Sequence, residues 1–120
     1  MNKVASTILM SMFLLIGFSS CSKDEESSTL KGTSWKFTSG NESITIRYTN
    51  DVDCIYTYVY DNGIYSESTT SRYTYMYEAP YVEMYPEDED NAVLRGLING
   101  EIMEVTNKSN NKNIGTFYKF

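Results

Sequence analysis

From Leu30 to the C-terminus the chain alternates apolar and polar residues with period two, and no stretch of it carries a helical period. Trp35 and Phe37 alternate with polar neighbours, and so do Ile44, Ile46 and Tyr48. Cys54, Tyr56, Tyr58 and Tyr60 share one strand face, with Ile55, Thr57 and Val59 on the other. Asp61-Asn62-Gly63 then supplies residues that tolerate the positive φ of a tight hairpin turn. Residues 64–69 read as a further strand, and residues 72–78 as another with Tyr73, Tyr75 and Tyr77 on one side. Ala79-Pro80 interrupts the pattern before residues 81–85, and residues 86–91 form a hydrophilic loop. Residues 92–98 resume the alternation, Asn99-Gly100 marks a second tight turn, and residues 101–106 run back. Residues 107–113, rich in Asn and Lys, read as the longest irregular loop, and residues 114–120 as the closing strand.

β-Branched and aromatic residues dominate these segments, as a pleated, half-buried surface favours. Eight or nine short strands joined by short loops make an all-β antiparallel meander. Closing into a barrel leaves no exposed edge, so a barrel is expected, with a two-sheet β-sandwich as the alternative.

The first 20 residues have a different composition. Lys3 is followed by a short apolar run over residues 4–18, then by Ser19-Ser20-Cys21. The run is too short and too interrupted by Ser and Gly for a permanent membrane helix. It has the order of a secretory signal, and its end resembles a bacterial lipobox, in which the cysteine is lipidated and becomes the mature N-terminus. Residues 1–20 are therefore expected to be a lipoprotein signal peptide, and Cys21 the lipid-bearing residue. Residues 21–29 are expected to be an acidic tether without an apolar residue to bury, and residues 30–120 the folded domain. Lys23-Asp24-Glu25-Glu26 also resembles the acidic export signal of Bacteroidetes-type surface lipoproteins, which implies an outer-membrane lipoprotein displayed at the cell surface.

Without Lys3 the chain holds nine basic against sixteen acidic residues, a net charge of −7. That sign opposes nonspecific binding of nucleic acid. The chain contains no histidine, which removes the usual general base and the commonest metal ligand. Of its two cysteines, Cys21 is assigned to lipid, and Cys54 reads as a small buried apolar residue. Residues 87–90 and 50–53 offer hard oxygens, but neither has the alternating spacing and glycine of a calcium loop, and both read as solvated turns. No nucleophile motif, phosphate loop or metal-ligand spacing is present. The expectation is a chain without catalysis, cofactor or metal.

All eleven tyrosines follow Cys21. Most read as barrel lining and cross-strand pairs, but Ile55, Val59 and Met76 compete for the interior, so some tyrosines of those strands are expected to face out. Tyr81 and Tyr85 share a face that, turned outward, offers flat apolar area with polar tips to a glycan or a protein. Trp35 reads as a plug at one end of the core, and as a ligand-stacking ring only in the alternative.

Gly32-Thr33-Ser34-Trp35 resembles the Gly-x-Trp signature that opens lipocalin-type barrels, one residue longer in spacing. More closely, the chain resembles a family of small lipocalin-like lipoproteins of the Bacteroidetes. The likeness lies in Gly32-Thr33 with Trp35, Ile44-Thr45-Ile46, Cys54, Tyr73-Thr74-Tyr75, Gly96 before Asn99-Gly100, and the aromatic last strand around Phe117. It implies an eight-stranded barrel and carries no activity. The expected function is a non-enzymatic, membrane-anchored module that binds a glycan or a protein. One alternative is a carrier of a small apolar ligand, held inside the barrel by Trp35 and the Tyr73-Tyr75 face. The other is a barrel that inhibits a protease through its tether or residues 107–113.

Overall fold

The computed structural model describes residues 29–120. The expected signal peptide, the lipidation at Cys21 and the tether as far as residue 28 lie outside these described residues. Eight strands follow one another: β1 (Ser34–Ser39), β2 (Glu42–Tyr48), β3 (Asp53–Asp61), β4 (Ser66–Glu78), β5 (Tyr81–Pro86), β6 (Leu94–Asn99), β7 (Ile102–Asn107) and β8 (Lys112–Lys119). Each pairs antiparallel with the next, and β8 returns to β1, so the sheet is a closed eight-stranded barrel rather than a sandwich.

The turns follow from their residues. Between β3 and β4, Asn62 Oδ1 accepts hydrogen bonds from the N–H groups of Ile64 and Tyr65, and Asp61 Oδ1 accepts one from Gly63. Gly63 (φ 89°) and Gly100 (φ 66°) take the left-handed conformation that a side chain disfavours. The expected long loop over residues 107–113 is a four-residue turn instead. Asn107 Oδ1 accepts from the N–H groups of Ser109 and Asn110, which lets β8 begin early, at Lys112.

One register line runs through Tyr48, Cys54, Tyr73 and Pro86. It sets side-chain parity for four strands, because neighbours in register point to the same side of a sheet. Tyr56, Tyr58 and Tyr60 of β3 and Tyr73, Tyr75 and Tyr77 of β4 therefore all face inward, with Ile44, Ile46 and Tyr48. This corrects the expectation that Ile55, Val59 and Met76 displace some of them. Parity sends those three out, and Met76 is 64% exposed.

Residues 64–69 and 72–78 are also not two strands. Residues 66–78 form one strand, β4, which pairs with β3 at nine positions from Asp53↔Thr74 to Asp61↔Ser66. Its pairing with β5 starts only at Tyr73↔Pro86, so its polar first half projects beyond β5 and has no core to face. Ile64 lies in the turn, 96% exposed.

Side chains fill the barrel. Trp35, Ile46, Tyr48, Val82, Met84, Met103, Val105 and Phe117 are almost fully buried, and each large apolar side chain so buried contributes about 1.5–3 kcal/mol. The Tyr48 ring meets Tyr75 edge-on at 4.7 Å, and its hydroxyl donates to the Met84 and Met103 sulfurs at 3.3 and 3.6 Å. Two glycines make room for this packing. A methyl at Gly96 would lie 2.8 Å from both Met103 Sδ and Val82 Cγ1, and one at Gly115 would lie 2.8 Å from Phe37 Cζ and closer to two other carbons of that ring.

Trp35 closes one end, its Nε1–H donating to Thr33 Oγ1 at 2.9 Å while Leu30 is buried in the same cluster. Both ends of the described chain meet there. Thr29 and Lys119 line one depression of about 490 Å³ with Trp35, Tyr77 and Ile98.

Candidate interaction surface

The register that turns Tyr73, Tyr75 and Tyr77 inward also turns Tyr81, Glu83 and Tyr85 of β5 outward. The cross-strand line Met76–Glu83–Arg95–Thr106 runs over the outer wall of β4 to β7, beside the line Glu78–Tyr81–Leu97–Glu104. Tyr81 is 43% exposed and Leu97 41%. Apolar and aromatic side chains thus lie open on a wall whose other face is the core.

Charged groups hold this wall in one arrangement. Lys108 Nζ lies 2.8 Å from Glu83 Oε2, and Arg95 Nε lies 3.9 Å from the same oxygen. Tyr85 Oη donates to Glu83 Oε1 at 2.6 Å. The hydrogen bond from Lys108, then that from Tyr85, holds the Glu83 carboxyl below the usual carboxylate range. The same bond to Glu83 pushes the Tyr85 phenol up. Arg95 spans the centre, its guanidinium carbon 4.5 Å from the centroid of the Tyr81 ring, a cation–π contact. On either side of the Tyr81–Arg95 stack is a shallow depression. One, of about 250 Å³, is lined by Met76, Glu83 and Tyr85, and the other, of about 240 Å³, by Leu97, Glu104 and Lys108.

The five aromatic residues singled out from the sequence do not form one site. Tyr81 and Tyr85 are on the outer wall. Trp35, Tyr73 and Tyr75 are in the core, at most 5% exposed. Tyr75 Oη donates to the Asn50 carbonyl at 2.5 Å and Tyr73 Oη to the Ala92 carbonyl at 3.4 Å, while burial pushes both phenols up to about 12. Cys54 is 1% exposed, its thiol raised to about 12 by burial and then by the charge of Asp53, so it is held as a neutral apolar group.

Sequence reading missed Met76, Glu83, Arg95, Leu97 and Lys108. Glu83 was within reach, because it stands two residues from both Tyr81 and Tyr85 and so shares their face. Arg95, Leu97 and Lys108 come from strands and a turn whose register no local pattern sets. Compared with protein-family models, with curated proteins and with solved structures, the chain matches none.

Proposed function

We propose that this chain is a non-enzymatic, lipid-anchored protein of the outer membrane, displayed at the cell surface and similar to the small lipocalin-like lipoproteins of the Bacteroidetes. Its barrel is an interaction module, and a protein partner docks on the outer wall around Tyr81. The observation that carries this reading is the Tyr81–Arg95 stack between two depressions on an exposed wall. Tyr, Arg and Met are the side chains enriched where protein interfaces concentrate their binding energy. A glycan needs a free aromatic face to stack on, and Arg95 already covers one face of Tyr81. The side chains that meet across the barrel weigh against an apolar cargo carried inside.

Photo-crosslinking on intact cells tests this directly. A benzophenone amino acid at position 97 is expected to give a discrete cross-linked protein species that Tyr81→Ala with Tyr85→Ala abolishes. A cross-link unchanged by that pair, or none at all, refutes the site, and a purely glycan adduct refutes the protein partner. Palmitate labelling lost in Cys21→Ser checks the anchor, and labelling that persists rejects it.

A further inference from the structure

The barrel closes through an unusually short ladder. β8 and β1 pair only at Trp35↔Lys119 and Lys36↔Tyr118, with one further bond from the Phe120 N–H to the Ser34 carbonyl at 3.0 Å. Every other seam pairs at four positions or more. Beyond Lys36 the two strands part, leaving a cleft of about 640 Å³ in the wall, floored by Phe37 over Gly115.

Backbone direction alternates along an antiparallel strand. Ser34 accepts from Phe120, so the even-numbered residues of β1 present their N–H and C=O toward β8, and those of β8 reciprocate. The next pair in that series is Thr38 and Thr116, whose backbone groups point into the cleft where the ladder has stopped. Two open strand edges thus face one space.

Its lining is cationic and aromatic. Lys36 and Lys119 both border it, neither with an ion-pair partner among the described residues; Lys36 faces outward, while Lys119 turns to the Trp35 side with its Nζ 5.9 Å from that ring's centroid. Tyr118 and Phe120 stand beside them, 58% and 68% exposed. On a chain with sixteen acidic and ten basic residues this is a local reversal of sign. Glu104, from the adjacent β7, is turned to the Thr116 hydroxyl at 3.0 Å.

We infer that the β1–β8 cleft is a second binding site, which takes an extended acidic peptide by strand addition. The peptide's backbone completes the ladder at Thr38 and Thr116, its outward carboxylates meet Lys36 beside Tyr118, and its inward side chains rest on Phe37. This site is separate from the wall around Tyr81 and does not depend on it.

Amide exchange and peptide selection test it. Residues 22–120, which keep every contact of the described core, are used as a purified chain. In the free chain the Thr38 and Thr116 amides are expected to exchange at least tenfold faster than those of Phe37 and Phe117. A displayed library of random heptapeptides is expected to enrich acidic sequences rich in β-branched residues, and one synthesised winner to slow both amides at least tenfold. Lys36→Glu should weaken that winner at least fivefold. Thr38→Pro, which removes an N–H aimed into the cleft and none that bonds β2, should abolish its binding. Free amides already as protected as their neighbours overturn the inference. So does enrichment that is absent, basic in preference, or indifferent to Lys36→Glu. Self-association lost in Thr38→Pro would put a second copy of the chain in place of the peptide, and equally overturns it.

Discussion

Replacing Gly115 with alanine sets a methyl group against the ring of Phe37. The strand itself gains from the change, by about 0.5–1 kcal/mol, because glycine loses more backbone entropy than alanine on folding. The methyl, however, would lie 2.8 Å from Phe37 Cζ and closer to two other ring carbons, and that ring packs on Phe117 with centroids 5.6 Å apart. Overpacking of this kind costs about 1–3 kcal/mol, and contacts this close put it in the upper half of that range, so the net loss is about 1–2 kcal/mol. Phe37→Ala alone removes a half-buried ring, at about half the ~3–5 kcal/mol of a fully buried phenylalanine. In the double variant the methyl occupies space the ring has left, so the cost of Gly115→Ala disappears and the strand gain remains. The cycle therefore yields a coupling of about 2 kcal/mol in favour of the double variant. Urea unfolding of residues 22–120 reads it, with each destabilising single change lowering the midpoint by about 1 M at an m-value of about 1.5 kcal/mol/M. Gly115→Ala that is neutral or stabilising on its own, or a cycle additive within about 0.5 kcal/mol, refutes the packing read from the ring.

Tyr48→Phe should change stability by less than about 1 kcal/mol, because the lost hydroxyl donates only to two thioethers and leaves no strong acceptor unpaired; a loss above about 2 kcal/mol in the same unfolding assay contradicts this. Cys54 stays protonated in the fold up to about pH 12 but ionises from about 9 when unfolded, so unfolding releases its proton between those values. Stability is therefore full below about pH 9 and falls as pH rises toward 12, by at most about 1.4 kcal/mol per unit for one group. Tyr73 and Tyr75, also raised to about 12, add to the fall from about pH 10. Denaturant midpoints should hold nearly level from pH 8 to 9 and decline from 9 to 10 in the wild type, and Cys54→Ala should flatten that second step; equal slopes there would exclude the thiol. Glu83 should titrate below the usual carboxylate range by carboxyl NMR, and Lys108→Ala should bring it back up, since Lys108 supplies the largest of the interactions that lower it.

Much of the barrel is legible because period two is a direct readout of which side of a sheet a residue faces. Trp35, Ile44, Ile46 and Tyr48 declare the interior by themselves, and the turn residues around Gly63 and Gly100 mark the hairpins. The failures share one cause. Thr70 and Ser71 looked like a break between two strands because they are polar and follow a run of Ser and Thr, yet β3 pairs both, and a projecting hairpin needs no buried face. Met76 looked like core because methionine is apolar, whereas parity with Tyr75 and Tyr77 sends it outward. The wall around Tyr81 was half visible. Local alternation places Tyr81 and Tyr85 together, but only the register of β5 on β6 brings Arg95 across Tyr81. Cross-strand register is a property of the closed sheet and of no single stretch.

Because every strand neighbours the next and the last neighbours the first, the strand order is a ring, and the chain is one of eight ways to cut it. Thr29 and Lys119 border the same depression at the Trp35 end, so a short Gly-Ser linker from Phe120 to Thr29 closes the circle without crossing the barrel. New ends opened among residues 62–65, at the exposed turn, keep all eight seams. The seam with two paired positions would then become a hairpin, and the nine-pair seam would be the one that joins the termini. Such a circular permutant relocates the weakest closure without changing a single side chain of the core.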